Sequence, residues 1–408
     1  MIVAARAPLL ANGVLGNRPS RPLNALAAPL ASTHSPTRSL LLAAGSLGLM
    51  ATVIAAILPV LVGAWQSGLR ISADQAGYVA AAELFAQVMG TLLFLRMERL
   101  LAWRRCAVLG LVLMLAGNLG SAASDALPAL LASRLVAGMG GGIVRALAMN
   151  CLARARNPGR AFALYASAQV LLAGSLTAAM PGILASVGLR VAFVVLASAC
   201  ALALLLVSRL PARPAPVAET GHGRLFAPAA LLCLVGLFLF FVGQAAVWTY
   251  LVPLGAALGI SSRAVGATLT ALNFAGLVGT LGAGMLAGRA SALALVAALM
   301  GLTLSAVLVL FHAHEAMPFA LAACLFYFCW CVSFPLQFAL IAESDGSGRA
   351  AAAAPAVDGL GLACGAALGG ALIARAGLPA TGLLCAVAGV ASIAAYVFAR
   401  TIPVRASP

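Results

Sequence analysis

The chain has no lysine; all 24 of its basic residues are arginine. Charge of any kind is scarce, at 8% of 408 residues, with nine acids and four histidines. A soluble domain of this size would need far more charge, since 63% of the residues are apolar and its surface would be one continuous apolar patch. No alternating apolar and polar short segments appear, which excludes a β-barrel. Paired Cys-x-x-Cys spacings are missing, and Cys329-x-Cys331 reads as two small interior residues rather than a metal site. No Asp-rich metal motif, H-E-x-x-H or G-x-S-x-G is placed to do chemistry, so an enzyme is not expected. No G-x-x-x-x-G-K-[ST] loop is present to bind ATP, and no cofactor is expected.

Long apolar runs are what the sequence has instead, with a mean hydropathy of +1.10. Stretches of about 20 apolar residues cross a bilayer, and twelve are expected, at 39–64, 77–95, 105–123, 128–150, 161–186, 190–209, 226–257, 264–287, 291–311, 317–341, 351–374 and 378–399. The expectation is an all-α membrane protein of twelve transmembrane helices. Eighteen arginines fall in the N-terminal tail, alternate loops and the C-terminus, against four (Arg70, Arg190, Arg263 and Arg375) in the opposite loops. The positive-inside rule then puts both termini in the cytoplasm, which requires an even number of spans. This distribution assigns the charge to topology rather than to nucleic acid.

Residues 1–38 read as a disordered cytoplasmic tail. Residues 211–225 read as a linker between six-helix halves at 39–210 and 226–400, followed by a short tail, 401–408. An offset of 189 aligns Phe85-Ala86-x-x-x-Gly90-Thr91-Leu92 with Phe274-Ala275-x-x-x-Gly279-Thr280-Leu281, and Gly159-Arg160-Ala161 with Gly348-Arg349-Ala350. Two matches at one offset indicate a duplication, so the halves are expected to be pseudo-symmetric. Parallel repeats of this kind place substrate near the midplane, between the halves.

Charges inside spans are expensive and therefore functional candidates. Glu83 lies nine residues after Asp74, and Arg134 nine after Asp125, so both sit about 13 Å along parallel helices and a pair is possible. A proton-handling pair and a static one fit these residues equally. Asp358 lies nine residues beyond Arg349 with no evident arginine partner, and its repeat counterpart is Gln169. Proton coupling, cation capture and a neutral interhelical bond all suit it. Gln87, Arg145, Gln169, Gln244, Trp248, Asn273, Tyr327 and Gln337 are candidate cavity residues, because sparse polar groups among aromatics line small-molecule sites. Amides also join helices.

In the stretch Ser133–Arg160, Gly138, Gly140, Gly141 and Gly142 follow Arg134, giving four glycines in five positions. They would weaken a helix in water but allow close helix approach in a membrane. Arg134-x-x-x-Gly138-x-Gly140-Gly141-Gly142 resembles the fourth-helix signature of the major facilitator superfamily. Gly188-Leu189-Arg190-Val191-Ala192-Phe193 resembles that family's G-W-R-W-x-F with both tryptophans lost. Phe94 stands where the usual loop aspartate would be, and "AGSLTAAMPGIL" (173–184) keeps Pro181 and Gly182 of a G-P-x-x-G-G antiporter signature. The resemblance implies the major facilitator fold and a secondary transporter working by alternating access, with Arg134 in proton coupling. It also implies a monomer in a bacterial-type inner membrane, with a small-molecule substrate, protons and the lipid bilayer as partners. Efflux of amphipathic compounds leads. Uptake of aromatic or other organic acids by a symporter or facilitator comes second, and a transport-inactive membrane sensor third.

Overall fold

The computed structural model describes residues 38–153, 155, 158–210, 227–286, 291–344 and 349–402. The expected tail (apart from Arg38), the linker 211–225 and the segment after residue 402 lie outside them. Lipid offers the backbone no hydrogen bonds, so each apolar run closes its own as a helix. Twelve described helical spans are long and apolar enough to cross a membrane. The first four helices are α1 (Arg38–Gly68), α2 (Ala73–Leu100), α3 (Trp103–Ala123) and α4 (Leu127–Ala153). The run Pro158–Ala203 breaks at Gly188, and its limbs α5 and α6 carry the spans Leu164–Leu184 and Ser186–Arg209. Gly188 has φ 78°, a backbone state open to glycine and costly for other residues.

The second set comprises α7 (Pro228–Thr249), α8 (Ser262–Leu286), α9 (Ala292–His312), α10 (Ala316–Ser344), α11 (Arg349–Ala376) and α12 (Pro379–Thr401). The seventh span was expected unbroken over 226–257. It is instead interrupted at Tyr250 (φ −107°, ψ 15°) and continues as a short helix, Leu251–Ala257. Pro253 accounts for the break: it has no N–H to offer Thr249, and its ring crowds that carbonyl.

With twelve spans, the described chain starts and finishes at one end of the bundle, the near end. The turns α1–α2, α3–α4 and their successors lie at the far end. Within the first set α4 packs on α1, α2 and α3; within the second α10 packs on α8 and α9, and α12 on α7 and α9. The two sets meet along a seam formed by α2 with α11, α5 with α8, and α1 with the short helix after α7.

The duplication is visible at the level of atoms. A Cβ on Gly90 of α2 would strike the Met139 carbonyl of α4, and one on Gly279 of α8 would lie 2.8 Å from the Phe328 oxygen of α10. Both members of these pairs differ by the same 189 residues. At the next equivalent contact the glycine changes sides: Gly142 of α4 faces the Gln87 carbonyl of α2, whereas Gly276 of α8 faces Tyr327 and Cys331 of α10. The chain therefore folds as two pseudo-symmetric six-helix halves.

The glycine run of α4 serves two neighbours at once. Gly138 and Gly142, one turn apart on one face, meet the Glu83 and Gln87 carbonyls of α2, while Gly140 meets the Gly110 carbonyl and Met114 of α3. Gly141 has only ordinary contacts, and nothing lies within 4 Å of a Cβ on Gly182, so that residue holds no helix contact. Only the position of Pro181, within α5, is described. Gly142→Val should therefore lower stability by about 1–3 kcal/mol through overpacking, while Gly182→Ala leaves it within about 0.5 kcal/mol. Unfolding midpoints in detergent check this, and equal effects would remove the packing role of the run.

Candidate functional site

The charged residues inside the spans form two separate clusters. The first lies wholly within the first half. Arg134 is fully buried, and its Nη1 approaches Glu83 Oε2 at 3.4 Å, so the pair anticipated from matching depths does form. The guanidinium has further partners on α3: Nε donates to Ser121 Oγ at 2.8 Å, and Nη2 donates to the Gly117 carbonyl at 3.0 Å and to Asn118 Oδ1 at 2.9 Å. The Phe193 ring of α6 sits 4.7 Å from the guanidinium carbon, a favourable cation–π distance. Asn118 continues the chain by donating to Cys200 Sγ of α6 at 3.8 Å. Arginine thereby joins α2, α3, α4 and α6 in one node, with its planar fork of donors nearly saturated. None of Ser121, Asn118 or Gly117 stood out in the sequence, and Phe193 did so only as the last residue of the G-W-R-W-x-F-like stretch.

The second cluster spans the seam. Asp358 of α11 is 6% exposed. Among the described residues the ion pairs are Glu83–Arg134, Asp125–Arg190 and Glu343–Arg400, so Asp358 belongs to none of them. Arg145 of α4 lines the same small crevice as Gly359, the residue after Asp358. Arg145 is exposed although it lies within a span, as expected of a charge facing water. With Gln87, Thr91, Pro355 and Gly359 it lines a crevice of about 40 Å³ between α2, α4 and α11, room for about one water. Gly359, next in the chain to Asp358, abuts Val88 of α2, and Thr91 donates to the Gly142 carbonyl at 3.3 Å.

The other candidates divide. In α7, Gln244 is fully buried and both its amide atoms lack a hydrogen-bond partner. One turn on, Trp248 stacks on Tyr327 of α10 (5.2 Å, 23°), and Trp330 stands edge-on to both. A buried amide left unpaired beside aromatic faces is costly and has the makings of a ligand contact. Asn273 of α8 reaches the seam: a Cβ on Gly174 of α5 would lie 3.8 Å from its Cβ, while its amide donates to Leu269 at 2.6 Å. Gln169 is half-buried in α5. Gln337 Oε1 accepts from Tyr396 of α12 at 2.8 Å within the second half, while its Nε2 is buried without a partner.

None of these residues lines the chamber at the far end. That chamber, about 830 Å³, lies among the far ends of α1, α2, α5, α8 and α11 and the short helix after α7, with Gln66, Pro253, Ile260, Leu269 and Ile373 in its wall. Sequence spacing carries no signal for it, because its wall is drawn from six helices, three of which (α2, α5 and α11) contribute one residue each.

Glu83→Ala should destabilise the protein by about 3–5 kcal/mol, because it leaves Arg134 buried without its counter-charge. The double change Glu83→Leu with Arg134→Met should recover much of that loss. Thermal unfolding of the purified variants measures both, and a Glu83→Ala protein as stable as the parent would remove the node from the account.

A model of the Major Facilitator Superfamily matches residues 40–354. Among solved structures, a D-xylose–proton symporter is similar with TM-score 0.72 and 16% identity over 90% of this chain and 98% of its own. The xylose transporter XylE of E. coli, inward open, follows at TM-score 0.71 and 16% identity, over 88% and 94%. A search of curated proteins gives no match. At such identities the solved structures speak for the fold, and the family match adds the rest: the chain belongs to the Major Facilitator Superfamily, as a multi-pass membrane transporter and not an enzyme.

Proposed function

We propose that this transporter couples its substrate to protons and that Asp358 is the residue carrying the proton. The observation behind this reading is the contrast between the two clusters. Glu83 and Arg134 sit on helices of the same half, so rocking one half against the other leaves their separation unchanged. Asp358 and Arg145 sit on opposite halves, so the same motion changes the field at the carboxylate. Coupling requires such a difference between states. The crevice beside Arg145 has room for about one water next to the proposed proton carrier.

The arginine asymmetry supports a cytoplasmic near end, with both termini there, in a bacterial-type inner membrane and as a monomer. Gln244, Trp248, Tyr327 and Asn273 are the proposed substrate contacts of the second half, and Gln87 and Gln169 those of the first. The scarcity of charge in the spans supports efflux of an amphipathic compound in exchange for protons. Uptake with protons is the second reading, favoured by the fold likeness to a xylose–proton symporter.

Proteoliposomes with a trapped pH dye test the proposal. The challenge is a panel of lipophilic cations, neutral antimicrobials and aromatic acids. Substrate-dependent proton movement should be lost in Asp358→Asn while substrate exchange continues. In Glu83→Gln the proton-to-substrate ratio should be unchanged, with only the yield of folded protein reduced. The sign of the flux separates efflux by exchange from symport. Normal proton movement in Asp358→Asn would overturn the assignment.

A further inference from the structure

The far-end chamber has an unusual lining for a transporter path: no ionisable side chain contributes to it. Its polar side chains are Gln66, Ser67 and Ser262. Ser67 is already engaged, its hydroxyl donating to the Gly63 carbonyl at 2.9 Å. The Gln66 Nε2 is different, since it is buried and has no hydrogen-bond partner. An amide nitrogen carries two N–H donors, and leaving them unmade in an apolar wall is costly. The wall itself is braced. Tyr250, at the break before the short helix, donates its hydroxyl to the Ala366 carbonyl of α11 at 2.9 Å and to the Ala73 carbonyl of α2 at 3.2 Å. Val252, Pro253, Ala256 and Ala257 therefore face the chamber from a short helix anchored at its start.

From this geometry we infer that the far-end chamber is a binding site for an uncharged amphiphile whose hydrogen-bond acceptor is held by Gln66. The inference rests on the transporter reading for its purpose and names the substrate class that reading leaves open. The volume suits a molecule of drug-like size. A hydroxyl, ether or carbonyl oxygen accepts from the Gln66 amide, and the apolar body lies against Val60, Ile260, Leu269 and Ile373. An ion entering the same space loses water and finds no opposite charge, so it is rejected. Because α1 lies on one side of the seam and α8 and the short helix on the other, a bound molecule touches both halves.

The test uses the full chain in lipid nanodiscs, with 1-pyrenebutanol, 1-pyrenebutyrate and 1-pyrenebutylamine as probes matched in body and differing in head. Energy transfer from tryptophan to pyrene reads binding. Partition into lipid is subtracted with empty discs. The alcohol should bind saturably, and both charged probes at least about tenfold more weakly. Gln66→Met should weaken the alcohol by about three- to tenfold, the worth of one hydrogen bond. Gln66→Glu should shift preference toward the amine. Equal binding of a charged probe to the parent protein, an unaltered Gln66→Met variant, or a signal no greater than in empty discs would each overturn the proposal. Binding without flux in proteoliposomes would sink the transport reading and leave the site; flux of a panel compound without probe binding would do the reverse.

Discussion

The close approach of α4 to α2 and α3 is the constraint from which the first half is built. Backbone carbonyls of both neighbours stand where side chains at 138, 140 and 142 would be. Arg134 lies one turn before Gly138 on the face turned to α2. The same face that admits the Glu83 backbone thus admits its carboxylate to the guanidinium. Lipid supplies no hydrophobic drive between helices, so packing and polar contacts must hold them together. Here glycine provides the first and arginine the second. Either alone would fall short: without the glycines the carboxylate could not reach, and without the node the buried arginine could not be tolerated.

The second half shares the fold but not this device. At the 189-residue offset Glu83 corresponds to Leu272 and Arg134 to Ala323. In their place stands an aromatic cluster, in which Phe241, Phe326, Tyr327 and Trp248 all contact Trp330. Edge and stacked rings hold helices without directional charge. An ionically pinned half therefore meets an aromatic one along the seam, and the charges free to respond to motion are the two that lie across it. On the proposed reading this division gives the two buried acids different work, although their surroundings in the chain look alike.

Much of this was legible in the residues. Apolar runs located the twelve spans, because a helix that crosses lipid must be long and greasy throughout. Counting depth from the flanking aspartates paired Glu83 with Arg134. The same count finds Arg145 for Asp358, eight residues before the end of α4 against nine after the start of α11, once both are measured from the near end. Depth does not tell which helices are neighbours, and that step came only from the packing of α11 on α2. Ser121 and Asn118 were invisible because small polar residues in spans carry no signature of a partner. Gln66 was invisible because its meaning lies in a chamber assembled from six helices.

We propose that the first half moves as a rigid body while the seam opens and closes. Electron-spin distance measurements test it most directly, using labels attached through unnatural amino acids so that the native cysteines stay in place. One pair joins Gly68, at the end of α1, to Arg263 of α8 across the seam; the other joins Gly68 to Ala126, before α4, within the first half. On adding a transported compound or changing pH, the distance across the seam should shift by several ångströms, a change typical of domain rocking, while the distance within the half stays fixed. A first-half distance that moves as much as the seam distance would contradict the account.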